Sequence, residues 1–185
     1  MGLRVAIIAD THGWIDPRVA DLVTDCDLAV HGGDIGNACV LARMQPRSGR
    51  VYAVRGNNDV GRKWPIEDRP LLSRIPDQAV VDLPGGRLVV VHGHRLPARG
   101  RHAKLRHHHP DARAIVYGHS HRLLEDRQHE PWVLNPGAAG RSRTFGGPSC
   151  IILNATDHAW ELSLHRFELS HGRRRQEPPS HEAVA

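Results

Sequence analysis

Asp10 and His12 stand one residue apart at the end of an apolar run. The same pairing of apolar run and metal-capable side chain recurs at Asp34, at Asn57, at His92, and at His119 with His121. All seven are oxygen or nitrogen donors, with no thiolate among them. They exceed what one tetrahedral zinc ion takes. They suit two divalent ions, each keeping open positions where water and a substrate can enter. One carboxylate between the ions would offset their mutual repulsion, and Asp34 is the candidate. The mix of imidazole, carboxylate and amide suits Mn²⁺, Fe²⁺, Ni²⁺, Co²⁺ or Zn²⁺. Mn²⁺ is taken first, Mg²⁺ is kept as a further alternative, and spacing does not choose among them.

In an extended segment, alternate residues point the same way. Asp10 and His12 are therefore expected to reach one site together, and His119 and His121 likewise if their loop is extended. Each motif alone is weak: a lone His-x-His is more often surface or core than ligand, and a glycine-flanked Asp34 is often turn chemistry. Five such sites, each following an apolar run, are hard to explain as coincidence.

These side chains need strands to carry them. Residues 3–9 read as a buried strand, 28–30 as a second apolar run and 51–54 as a third strand, each ending in a polar, glycine-containing loop. Between them, residues 17–23 and 37–44 read as helices, the first with Asp16 as N-cap. That alternation predicts a parallel or mixed sheet with crossover helices, whose ligands bind beyond the carboxyl ends of the strands. Residues 78–83 and 87–91 flank Pro84-Gly85-Gly86, a hairpin signal. A helix over 98–108 and strands over 114–117, 123–126 and 132–134 follow, then a loop at Asn135-Pro136-Gly137. Residues 150–153 and 159–167 form a closing hairpin. Residues 61–74 and 96–110 carry segments whose shape the sequence does not give. One domain is expected over 1–170, with a polar, disordered tail over 171–185.

The chain has 185 residues, 39% of them hydrophobic, which is enough for one domain with a sizeable core. No apolar run approaches bilayer length, and the run 5–9 is too short for a signal peptide, so a cytoplasmic protein without a membrane partner is expected. Cys26, Cys39 and Cys150 are odd in number and far apart, which argues against a disulfide framework. The formal charge of +5 is compatible with an anionic substrate without identifying one. The run His107, His108 and His109 reads as a solvated helix end.

The set Asp10-x-His12, Gly33-Asp34, Gly56-Asn57-Asn58-Asp59, His92-Gly93-His94 and Gly118-His119-Ser120-His121 resembles the calcineurin-like metallophosphoesterases, and within them the small YfcE-type phosphodiesterases. The match runs in order over about residues 3–167. It implies a four-layer αββα sandwich of two mixed sheets flanked by helices. It implies that Asp10, His12, Asp34 and His121 hold one ion, and Asp34, Asn57, His92 and His119 a second, with Asp34 bridging. It implies hydrolysis of a phosphate ester, most simply a small phosphodiester, by a hydroxide shared between the ions. Where many relatives have a histidine after the motif asparagine, this chain has Asn58. An amide does not donate a proton as imidazolium does, which lowers the expectation of protein phosphatase or DNA nuclease activity. Asn58 is expected to hydrogen-bond a phosphate oxygen, and His94 is the candidate acid for the leaving group. Arg141 and Arg143 are candidates to clamp phosphate.

The rival expectation is a protein-binding scaffold on the same fold, as in the retromer subunit resembling this family. That subunit replaces the first-motif histidine, whereas His12 is present here. Binding of nucleic acid as partner or substrate rests on Arg173, Arg174 and Arg175 and is not favoured.

Overall fold

The computed structural model describes residues 2–169, and the expected tail lies outside them. Ten strands form two sheets of five. The first holds β1 (Leu3–Ile8), β2 (Leu28–His31), β3 (Val51–Ala53), β9 (Ser149–Ala155) and β10 (Trp160–Arg166), in the order β10-β9-β1-β2-β3. The second holds β4 (Gln78–Leu83), β5 (Gly86–Val91), β6 (Ala114–Tyr117), β7 (Leu123–Asp126) and β8 (Trp132–Pro136), in the order β4-β5-β6-β8-β7. Both sheets are mixed. β1, β2 and β3 run parallel in one, and β5, β6 and β8 in the other. The remaining neighbours are antiparallel.

Strand alternation builds the layers. Val5 and Ile7 of β1 turn inward, into a core shared with Leu88 and Val90 of β5 and with Val116 and Leu134. Ala6 and Ile8 turn outward against Val19 and Val23 of α1 (Pro17–Thr24). On the other outer face, Val89, Ile115 and Val133 pack against Leu105. Leu105 belongs to α4 (Arg101–His108). This is the expected sandwich.

Local chemistry sets the helix starts. Asp16 accepts from the Arg18 amide at 2.9 Å and Pro17 opens α1. Asn37 accepts from the Val40 amide at 3.1 Å and caps α2 (Ala38–Arg43). The structure departs from expectation in two places and gives shape to one segment the sequence left open. Segment 61–74 contains a 3₁₀ turn (Ile66–Asp68) running into α3 (Arg69–Leu72). The helix expected from 98 begins only at Arg101, because Gly100 before it is left-handed. β8 runs through Asn135 and Pro136. These two pair with β7 alone, the β6 register having ended at Leu134, so the missing proline N–H is not needed on that side.

Candidate metal centre

The carboxyl ends of β1, β2, β3, β5 and β6 bring their loops together where the two sheets meet. The amide of His119, beyond β6, donates to Asp10 Oδ1 at 3.2 Å, and His92 Nδ1 lies 2.8 Å from the Gly32 carbonyl. Asp10, His12, Asp34 and His121 each present a ligand atom within 4.8 Å of the others. Asn57 Oδ1 lies 3.1 Å from His92 Nε2 and 3.0 Å from His119 Nδ1. Asp34 sits between the groups: its Oδ2 is 3.7 Å from His12 Nε2 and its Oδ1 is 3.5 Å from His92 Nε2.

The backbone route to this geometry is not the extended one expected. Asp10, His12, Asp34, His119 and His121 all have positive φ, between 48° and 65°. Left-handed backbone is uncommon for non-glycine residues, and it gathers where surrounding structure holds a functional site in strain. It lets Asp10 and His12 converge without a strand. It also parts the other pair: His121 joins Asp10 and His12, whereas His119 turns to Asn57. At Gly56 the need for glycine is steric, since a Cβ would fall 2.1 Å from Asp34 Oδ1.

Neighbouring groups fix the orientation of the donors. A carbonyl only accepts, so the Gly32 carbonyl draws the proton to His92 Nδ1 and leaves Nε2 facing Asp34. The Ser142 carbonyl, 3.1 Å from His121 Nδ1, does the same there, so that Nε2 faces His12 Nε2 at 3.2 Å. This arrangement is that of imidazoles prepared to coordinate a cation. Asp10 adds to the case: it is fully buried, and its Oδ2 has no hydrogen-bond partner. Burial pushes its pKa up from 3.8 to about 7. A buried carboxylate oxygen without a partner among the described residues, beside two imidazole nitrogens turned toward each other, calls for a positive ion. The donor set of Asp10, His12, Asp34 and His121 therefore fits a metal ion.

The remaining shifts follow from the same crowding. Burial works against the charge of Asp34, but His92 and two hydrogen bonds from Asn58 hold its carboxyl well below the usual range. Burial would depress His92, yet Asp34 and Asp10 together raise it. Burial, aided by Arg143 and His12, lowers His121 to about 4.

Asn58 donates to Asp34 twice, from its backbone N–H at 2.8 Å and from its amide Nδ2 at 2.6 Å, and its Oδ1 accepts from Lys63. Its amide is thus directed at the central carboxylate. The His94 ring lies 5.3 Å from that of His92. Burial, then the neighbouring His92, lowers its pKa. The two arginines separate. Arg143 Nη2 reaches within 3.0 Å of His121 Nε2, whereas Arg141 stacks 3.9 Å over the Trp14 ring.

Two supporting residues escaped the sequence reading. Asp59 is buried and accepts from the amides of Ile35, Gly36 and Gly56 and from the Trp64 indole, tying the loops that carry Asp34 and Asn57. Its place in the Gly56-to-Asp59 run was the available signal. His31, fully buried and lowered to about 4 by burial, accepts from the Gly33 amide at Nδ1. Its Nε2 lies 2.9 Å from Thr11 Oγ1, and that hydroxyl donates to the Ile35 carbonyl. Asn135 braces the third loop by donating to the Gly118 carbonyl and to Ser120 Oγ.

The fold and donor set define a metallophosphoesterase-like domain, and comparison with known proteins agrees. The model of the calcineurin-like phosphoesterase superfamily domain matches residues 3–158, and the chain belongs to that superfamily. A probable metallophosphoesterase of Methanothermobacter thermautotrophicus is 27% identical over 171 residues, covering 89% of this chain and 92% of the relative. A phosphodiesterase of Methanocaldococcus jannaschii is 22% identical over 144 residues, 73% of this chain and 83% of its own. Among solved structures, a single mutant of Vps29 from Entamoeba histolytica shares the fold at TM-score 0.69 and 17% identity, covering 90% of this chain and all of that one. Among the described residues, no helix is long and apolar enough to cross a membrane.

Proposed function

We propose that this protein is a phosphodiesterase that works with two divalent ions. The observation that carries the reading is Asp34, a buried carboxylate presenting one oxygen to the His12 side and the other to the His92 side. Ions held there would supply a water-derived nucleophile at neutral pH and draw off charge from the phosphoryl oxygens. Asp10, His12 and His121 would share one ion with Asp34, and Asn57, His92 and His119 the other. Asn58 holds Asp34 in its bridging orientation. Arg143, whose Nη2 lies 3.0 Å from His121 Nε2, would orient a phosphoryl oxygen. Burial and the neighbouring His92 favour the neutral form of His94, so it would donate a proton weakly, and a good leaving group departs with little help. The phosphodiesterase name of one relative supports the same choice of substrate.

Asp34→Asn tests the bridging role. The variant is expected to lose both ions and more than a hundredfold of its turnover together. A variant that retained both ions and full rate would overturn the assignment. The Vps29 likeness supports a competing scaffold reading, which predicts bound ions without turnover.

A further inference from the structure

Beside the second group of donors lies a cavity of about 420 Å³. Val91, Leu96 and Leu105 give it apolar lining, and Gln78, His94 and Arg95 give it polar lining. A second depression, of about 310 Å³, includes Asn57 and shares Asp77, His94 and Arg95 with the first. The two therefore form one trough, leading from the metal donor Asn57 past His94 to the apolar lining.

Resting on the phosphodiesterase reading, we propose that this trough receives one ester arm of the substrate and selects a ring-bearing arm of nucleoside size. Volume argues against a small alkyl arm, which would leave most of the cavity to water. A cavity of this size suits a ligand of several fused or linked rings. Asp77 pairs with both Arg95, at 2.9 Å, and Arg55, at 3.1 Å, so one carboxylate serves both guanidinium groups. The rest of the lining joins the three apolar side chains to the Gln78 amide and to imidazoles, those of His94, His108 and His109 among them. That combination favours a flat group with polar edges over a hydrocarbon.

The test uses the metal-reloaded protein and two diesters that release the same p-nitrophenolate. One carries a methyl group as its second arm and the other thymidine through its 5′ oxygen. The thymidine diester is expected to show kcat/KM at least tenfold above that of the methyl diester. Leu96→Trp, which fills the cavity, should bring that ratio close to one, and Gln78→Ala should lower it severalfold should Leu96→Trp fail to fold. Thymidine itself, followed by the ring resonances of His94, should bind saturably to the same protein. Equal rates for both diesters, with a ratio unchanged in the variants, would overturn the assignment of the trough while leaving the phosphodiesterase reading intact. Hydrolysis of neither diester would remove the phosphodiesterase reading. The thymidine titration would then stand alone, saturable shifts at His94 supporting the trough and their absence overturning it.

Discussion

Asp10→Asn should stabilise the metal-free protein at alkaline pH while destroying its metal site. In the folded chain the Asp10 carboxyl titrates near 7 because it is buried, against 3.8 for an ordinary aspartate. Between those values the folded state binds more protons than the unfolded state, so this group's effect is to lower stability as pH rises. At about 1.4 kcal/mol per pKa unit, the shift destabilises the fold by about 4 kcal/mol at pH 8, where the buried carboxyl is ionised, and by about 2 kcal/mol at pH 5, where it takes up a proton on folding. Asparagine removes that cost. Its amide nitrogen, placed where Oδ2 has no partner, adds back about 1–3 kcal/mol at either pH. Relative to the parent, the variant should therefore gain about 2–3 kcal/mol between pH 5 and pH 8. Urea denaturation of both proteins under chelator at the two pH values measures this. Manganese at a thousandfold excess over its dissociation constant should reverse the order at pH 8, stabilising the parent by about 4.1 kcal/mol and the variant far less. A stability difference that is the same at pH 5 and pH 8 would refute the reasoning.

Two further outcomes follow. Asp59→Ala leaves the amides of Ile35, Gly36 and Gly56 and the Trp64 indole without their buried acceptor, and should cost about 4 kcal/mol or more in urea denaturation; a loss under about 1 kcal/mol would show that water replaces the carboxylate. Because burial and His92 favour the neutral form of His94, the rate over a series of aryl methyl phosphodiesters should fall steeply as the leaving group becomes more basic, and His94→Gln should leave that slope unchanged; a flat series that steepens in the variant would make His94 the acid.

Most of the site was legible because its donors follow strands that are wholly or partly buried, and this leaves an apolar run before each one. The pairing of β1 with β2 and β3, and of β5 with β6, then aligns the strand ends. The backbone at the donors was not legible. Alternation in an extended segment was the wrong reason for Asp10 and His12 to meet, since both are left-handed, and the same conformation sends His119 and His121 to different partners. Nothing in a His-x-His spacing distinguishes these routes; contacts from distant loops impose them. Asp59 and His31 were overlooked for a related reason. Each acts through backbone amides and a hydroxyl brought near by folding, and those partners leave no trace in composition. The separation of Arg141 from Arg143 was equally hidden, because it depends on where Trp14 lies.

The most direct test of the central claim is hydrolysis of an aryl phosphodiester beside the matching monoester, by protein stripped of metal and then reloaded with Mn²⁺, Ni²⁺, Zn²⁺ or Mg²⁺. Turnover restored by metal, with the diester preferred and two ions bound per chain, is the predicted result. Protein holding two ions yet turning over neither ester with any metal would contradict it.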